Sequence, residues 1–478
     1  MLLLSAALIP FFGAIYAFLE KDMRRLHRVT ALSVFAAAGL AVIAALRGVD
    51  DFTVLRLSDT LTLRFGTDGL SLFFILLASL IWCLVQFHAF GYMPHEGNEG
   101  RFFGFYQLTY GTLILLASAK NAVTLYMCFE FMTLASMPMV LHDGSERSRA
   151  AAFKYLGYST FGALLALMGF FLLAGAGNPL EFVPGGIPLA GRPEVVLIAA
   201  FLTILGFGAK AGLVPLQMWL TEAHPVAPSP ASAVLSGLIT KGGVIAILRS
   251  VYWLFGPQLL AGTWVQGTVR ILTIVTVFMG SMLALSEKVL KKRLAYSTVS
   301  NVSYVLFGLF SFTPAGFAGA LLQVLAHALA KDTLFLCAGN LIMETGHTLV
   351  RDFKGVGKRM PVTMLCFTLA SLSLIGIPPL GGFTAKWYLA VGALEAGSAA
   401  NTVGVVMLMV SALLTAFYLL PIVSDAFFPG KDFDAGEACE APLTMRVPIL
   451  LFALLTALLG IFPAPILRFF TALAGGLL

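Results

Sequence analysis

The chain has little charge. Asp, Glu, Lys and Arg make up 11% of its 478 residues, against 59% hydrophobic residues. Mean hydropathy is +0.92, which excludes an ordinary soluble domain and fits a polytopic membrane protein. Cysteine is scarce: Cys83, Cys128, Cys337, Cys366 and Cys439 stand alone, with no CxxC pair. That spacing excludes a zinc site, an iron–sulfur cluster and a disulfide framework. Neither a GxGxxG pattern nor a P-loop occurs, so no nucleotide motif is present and no cofactor or metal is expected. The net charge is +6, but the basic residues cluster in short loops, so nucleic acid is not an expected partner.

What the chain has instead is long apolar runs. At roughly 20 apolar residues per span, they predict an all-α membrane protein of about 14 transmembrane helices. The expected limits are 2–19, 29–47, 69–92, 102–119, 121–141, 150–174, 195–221, 228–254, 265–286, 294–312, 314–344, 360–396, 401–427 and 443–474. The first run is followed by Lys21, Arg24, Arg25 and Arg28 rather than by a cleavage site, so it reads as a retained helix. Lys and Arg crowd into residues 20–28, 288–293 and 351–359 and are sparse in loops 255–264, 313–316 and 397–400. The positive-inside rule then puts the odd-numbered loops in the cytoplasm and both termini outside. Two outside loops are long enough for structure. Phe52 to Leu57 and Leu61 to Phe65 alternate like strands around Ser58-Asp59-Thr60, and residues 180–190, with Gly185-Gly186 at the centre, predict a second hairpin.

Two spans contain internal breaks. One runs through Lys210-Ala-Gly-Leu-Val-Pro-Leu, the other from Gly376 through Pro378-Pro379 to Lys386. Proline removes a helical hydrogen bond. At membrane depth such a break survives only where protein or trapped water satisfies the freed groups. Matched broken helices in two halves point to inverted repeats and their ion sites. The expected division is residues 1–101 as helices 1–3, 102–254 and 265–427 as two inverted five-helix repeats, and 443–478 as helix 14.

Six ionisable residues lie inside apolar stretches: Glu130, Lys210, Lys241, His327, Lys331 and Lys386. A charge deep in a bilayer is costly, so such residues are rare and usually functional. Each has a plainer reading. Glu130 could be a structural carboxylate, and Lys210 and Lys241 could snorkel to an interface. His327 could be a core histidine, although Lys331, four residues on, shares its helix face. Lys386 could cap a helix end. Asp332 reads as a simple partner for a lysine, and His224 as a histidine in a cytoplasmic turn. His347, Arg351 and Asp352 read as surface-loop residues, and Lys154 and Glu395 as interfacial ones.

Several segments carry a resemblance. They are Asp68-Gly-Leu-Ser, Phe129-Glu-Phe-Met, the long run from Gly208 to Ala233 around Lys210, the segment Lys292 to Asn301, and His327-Ala-Leu-Ala-Lys331. In order and spacing they resemble the antiporter-like subunits shared by respiratory complex I, Mrp-type Na+/H+ antiporters and membrane-bound hydrogenases. The likeness runs from about Asp68 to Tyr418 and is to the medium-length members, with no long C-terminal amphipathic helix. It implies that Glu130 and Lys210 form an ion pair at the channel entrance. It implies that Lys241 is a relay in a broken helix, that His327 and Lys331 continue the hydrophilic axis, and that Lys386 is the terminal exchange residue. Some relatives carry glutamate at that last position.

The expected function is proton translocation, with Na+ exchange left open, as a non-redox subunit of a translocase such as a quinone reductase or a membrane-bound hydrogenase. Expected partners are other antiporter-like and small membrane subunits, a peripheral redox module and the lipid of a prokaryotic cell membrane. The alternatives are a stand-alone cation/proton antiporter and a non-transporting anchor of a redox module. Costly buried lysines argue against the anchor.

Overall fold

The computed structural model describes residues 2–58, 61–430 and 438–478. Nearly all of it is helix. Helices α1 (Leu2–Leu19) and α2 (Met23–Arg47) form a hairpin, and Asp22 caps α2 by accepting from the amides of Arg24 and Arg25. Strands β1 (Phe52–Arg56) and β2 (Thr62–Phe65) pair antiparallel, Phe52 opposite Phe65, with an irregularity between Thr53 and Leu55. The first expected hairpin is therefore present. Asp59 and Thr60 of its turn lie outside the described residues.

Helices α3 (Gly69–Glu96), α4 (Glu99–Ala117), α5 (Ala122–Val140), α6 (Glu146–Gly175) and α7 (Pro193–Ala211) follow. α6 and α7 meet through small residues. A Cβ on Gly162 would strike the Gly206 carbonyl, and one on Gly206 would strike the backbone at Gly162 and Ala166. Without bulk at those positions the two backbones approach closely, as small residues allow in membranes.

At the first break the chain leaves α7 through Gly212 (φ 81°) and runs to α8 (Met218–Val226). The left-handed φ is one that glycine adopts without penalty. Next come α9 (Ser229–Val234), a π-helical turn (Leu235–Ile239), α10 (Thr240–Arg249) and a second π turn (Ser250–Phe255), then the short α11 (Pro257–Leu260). Residues 229–255 form one span buried along its full apolar window. π turns inside helices often mark functional sites.

Residues 180–190 do not form the expected hairpin. Their amides serve the second π turn instead. Val183 donates to the Trp253 carbonyl (2.8 Å), Gly185 to Tyr252 (3.0 Å) and Ile187 to Leu254 (3.1 Å). A helix end leaves its last carbonyls without internal donors, and this loop supplies them.

α12 (Trp264–Ser286), α13 (Leu290–Leu309) and α14 (Pro314–Thr345) come next, then α15 (Pro361–Ile375) and α16 (Gly381–Glu395) around the second break. That break repeats the first in one respect: Gly376 ends α15 at φ 93°. Each break also contains a cis X–Pro bond, Val214–Pro215 and Pro378–Pro379. α17 (Ala399–Phe427), α18 (Leu443–Ile461) and α19 (Ala464–Gly475) complete the chain.

Among the described residues, eleven helices are long and apolar enough to cross a membrane, or twelve if a bent pair around Pro361–Ile375 counts as one. This is fewer than the count of about 14 expected from apolar length. The difference has clear sources. α4 and α13 are long enough but too polar, and α15 and α16 are half-length at 15 residues each. The run 443–474 still contributes one span, α18, with α19 following after Phe462-Pro463. α14 and the 229–255 span are the central elements, with 94% and 100% of their apolar windows buried, whereas α17 buries only 33%. The outer helices turn Phe12, Phe153, Phe171 and Phe417 outward, as a lipid-facing surface requires.

Candidate functional site

The central and broken helices carry the ionisable residues. Lys210 lies in the last turn of α7, just before the first break, and is fully buried. Its ammonium donates to Tyr155 Oη (2.6 Å), Thr133 Oγ1 (2.8 Å) and Ser159 Oγ (3.3 Å). The ring of Tyr155 lies 4.2 Å beneath it. Three hydroxyls and an aromatic face compensate the lost hydration in part. Trp219 of α8 donates to the Ala209 carbonyl (2.9 Å), tying the segment after the break back onto α7.

The resemblance led us to expect Glu130 and Lys210 in a close ion pair. That contact is not formed. Among the described residues the hydrogen-bond partners of the Lys210 ammonium are those three hydroxyls, and Glu130 Oε1 is buried without a hydrogen-bond partner. The reason is local: hydroxyls from α5 and α6 occupy the donors of Lys210. The pair is in an open arrangement.

Lys241 is the second residue of α10, which directly follows the first π turn. Its ammonium lies 2.5 Å from the Ser236 carbonyl within that turn and 2.7 Å from His327 Nδ1. Gly243 seats α10 against α7. A Cβ there would meet the Phe207 carbonyl and the Ala211 amide at 2.7 Å, with the Lys210 carbonyl carbon at 3.1 Å. Lys241 is thus held on a helix in direct backbone contact with the turn that carries Lys210.

His327 and Lys331 are buried on α14. Lys331 donates to the Leu294 carbonyl (2.8 Å) and to Ser297 Oγ on α13. His327 Nε2 has no partner. It borders a narrow crevice lined by Asn301, Gln323, Ser373 and Lys386. Lys386, on α16 just after the second break, donates to the carbonyls of Leu374 (2.6 Å) and Ile375 (2.9 Å). These are orphan carbonyls at the C-terminus of α15, where the helix dipole favours a cation. Lys386 therefore does cap a helix end, and in doing so it is held inside the protein. The two break lysines are not equivalent, since Lys210 precedes its break and Lys386 follows its own.

Two residues set aside in the sequence stand at the centre of the site. His224 is not in an exposed turn. It lies in α8, fully buried, stacked on Phe335 at 4.7 Å, and neither ring nitrogen has a partner. The chain after the break folds back into the protein, which the Pro- and Ser-rich spelling disguised as a loop. Asp332 is buried with both oxygens unpartnered. Its only sequence signal was adjacency to Lys331.

A separate charged group closes the hairpin end. Arg249 is buried and grips Asp68 with both terminal nitrogens (2.6 and 2.9 Å), and Lys120 adds a contact at 3.1 Å. Burial opposes ionisation of Asp68, but these two cations outweigh it and hold the carboxyl well below the usual range.

With this geometry established, comparison with known proteins decides the family. A family described as NADH:quinone oxidoreductase/Mrp antiporter, TM, matches residues 119–415. A complex I chain 5 N-terminus family matches residues 57–103. The chain belongs to this antiporter-like family. NADH-quinone oxidoreductase subunit N of Desulforudis audaxviator is 34% identical over 393 residues, covering 78% of this chain and 76% of that protein. Hydrogenase-4 component B of Escherichia coli is 32% identical over 426 residues, covering 84% of this chain and 62% of that longer protein. A chain of the Mrp complex from Dietzia shares the fold at a TM-score of 0.85 and 22% identity, covering 100% of this chain and 98% of that one. As an antiporter-like subunit, the protein is a proton-translocating membrane component of a multi-subunit complex.

Proposed function

We propose that Glu130, Lys210, Lys241, His327, Lys331 and Lys386 form the proton path of this antiporter-like subunit. The observation that carries the reading is the contact between Lys241 and His327 Nδ1, with His327 and Lys386 lining one narrow crevice and His327 Nε2 without a partner. A histidine between Lys241 and Lys386 suits a relay, because it takes a proton at one nitrogen and releases one at the other. Lys241 gives a proton to Nδ1. The imidazolium then loses the proton on Nε2 toward Asn301, Gln323, Ser373 and Lys386. Lys331 lies one turn further along α14 and lines the path beside His327, where a nearby positive charge favours proton loss from the imidazolium.

Lys210 feeds Lys241 from the first half. In the open arrangement its proton rests on an ammonium held by hydroxyls alone. Closure onto Glu130 would hold that proton more firmly, since a nearby carboxylate favours the charged lysine. Residues 102–254 and 265–427 act as two repeats, each contributing one broken helix to the path.

Energy comes from the complex around the subunit. Relatives named as subunits of quinone oxidoreductases and of a hydrogenase favour a peripheral redox module as partner, with a prokaryotic cell membrane as location. Protons are the transported ion. The test is translocation by the intact complex in proteoliposomes, read with a pH-sensitive dye. Lys210→Ala and Lys241→Ala should each reduce it to a small residual rate while leaving assembly intact, and full translocation in either variant rejects the path.

A further inference from the structure

Among the described residues, Asp332 is the only acidic side chain that is fully buried. Neither of its oxygens has a partner. An ionised carboxylate in that state carries a large desolvation cost unless a cation reaches it. Its neighbour Lys331 points elsewhere, to Leu294 and Ser297 on α13. Asp332 instead faces the first π turn, and a Cβ added to Gly237 would land on its carboxylate. The missing side chain at Gly237 makes room for Asp332.

The residue before Gly237 is Ser236, whose carbonyl holds the Lys241 ammonium. Asp332 and Lys241 therefore flank the same π turn. The Tyr106 hydroxyl donates to the Trp82 carbonyl at 2.8 Å and leaves the carboxylate unserved.

We propose that Asp332 is a second docking position for the Lys241 ammonium, so that this central lysine switches between His327 and Asp332. The lysine stem is long and flexible, and its head is a compact charge with three rotatable donors. Docked on Asp332, Lys241 keeps all three protons and neutralises the carboxylate. Docked on His327, it passes one proton to Nδ1, remains as a neutral amine, and is reloaded from the Lys210 side. Only the proton is transferred. Asp332 thereby does for the central lysine what Glu130 does for the first, and it sets which way Lys241 faces.

The inference rests on the proton-path reading and is tested in the same intact complex, with a double-mutant cycle. Asp332→Asn keeps the shape and removes the charge. It should assemble and translocate protons about ten- to a hundredfold more slowly, the range for losing a charge-assisted contact. Combining it with Lys241→Gln should be no slower than Lys241→Gln alone, because the two residues act as one unit. Independent, multiplicative losses would make Asp332 merely structural and overturn the proposal, as would full-rate translocation by Asp332→Asn. If Asp332→Asn fails to assemble, Gly237→Ala decides, since it keeps the carboxyl group but pushes it away from the turn. It should slow translocation, and an unchanged rate overturns the proposal. Loss of translocation in Lys210→Ala and Lys241→Ala with none in Asp332→Asn rejects this inference alone. No loss in any of them rejects the path as a whole.

Discussion

Lys241 Nζ and His327 Nδ1 share a hydrogen bond of 2.7 Å, with both side chains buried. The bond joins α10 to α14, which belong to the two candidate spans with the most buried apolar windows among the described residues. If it is the transfer step, His327→Ala should slow proton translocation about tenfold or more, the cost of one charge-assisted hydrogen bond. Combining it with Lys241→Ala should add little. Initial rates in proteoliposomes measure both effects.

The hydroxyl cage of Lys210 makes a graded prediction. Tyr155→Phe removes the contact at 2.6 Å and leaves Thr133 and Ser159 in place. Translocation should fall about tenfold, and less than in Lys210→Ala. An unchanged rate would show that Tyr155 serves only Ser136, its other partner at 2.6 Å.

The grip of Arg249 on Asp68 predicts stability rather than transport. Asp68→Ala leaves Arg249 buried without its charge partner. The expected loss is about 3 kcal/mol, the lower end for a broken buried pair, because Asp68 keeps 26% of its side chain exposed. Thermal unfolding of the detergent-solubilised protein reads this. The pH sign follows from a carboxyl held below its usual value. The pair's contribution is complete above the unfolded carboxylate range and is lost only as pH falls toward the lower folded value. Wild type and Asp68→Ala should therefore differ by a constant amount at neutral pH and converge only in strong acid.

Gly206→Ala tests how packing holds the path. The new Cβ would press on the backbone of α6 at Gly162 and Ala166. Overpacking of this kind costs about 1–3 kcal/mol. It would also shift α6, which supplies Tyr155 and Ser159 to Lys210. Lower thermal stability together with slower translocation is the expected result, and lower stability at an unchanged rate would separate packing from transport.

Lys386 combines a cap with a charge. Lys386→Gln keeps a donor for the α15 carbonyls but carries no transferable proton, so translocation should be lost while thermal stability falls by at most about 1 kcal/mol. Equal loss of both would make it a structural cap only.

Much of this was legible in the chain. Alternation in Phe52–Leu57 and Leu61–Phe65 foretold the paired strands, since a period of two is the mark of a half-buried sheet. Pro215 and Pro378-Pro379 located both breaks, because proline cannot sit in a helix interior without freeing a carbonyl. Other features were hidden. Residues 180–190 looked like a hairpin because their purpose, serving the carbonyls of Tyr252 to Leu254, lies about 70 residues away in sequence. Polar α4 and α13 counted as spans by position, although protein rather than lipid surrounds much of them. Asp332 was masked by Lys331 beside it, and His224 by the prolines that follow it.

The sequence by itself determined that this chain is a membrane protein, where its helices break, and that Lys210, Lys241, His327 and Lys331 lie inside apolar stretches. Those properties depend on local composition and on the cost of taking charge or unpaired backbone out of water. Only the tertiary structure decided which groups meet. Lys241 and His327 are 86 residues apart, and no local pattern encodes a distance set by how α10 packs on α14. The same packing opened Lys210 from Glu130, turned Lys331 away from Asp332, and left that carboxylate facing the glycine of a π turn.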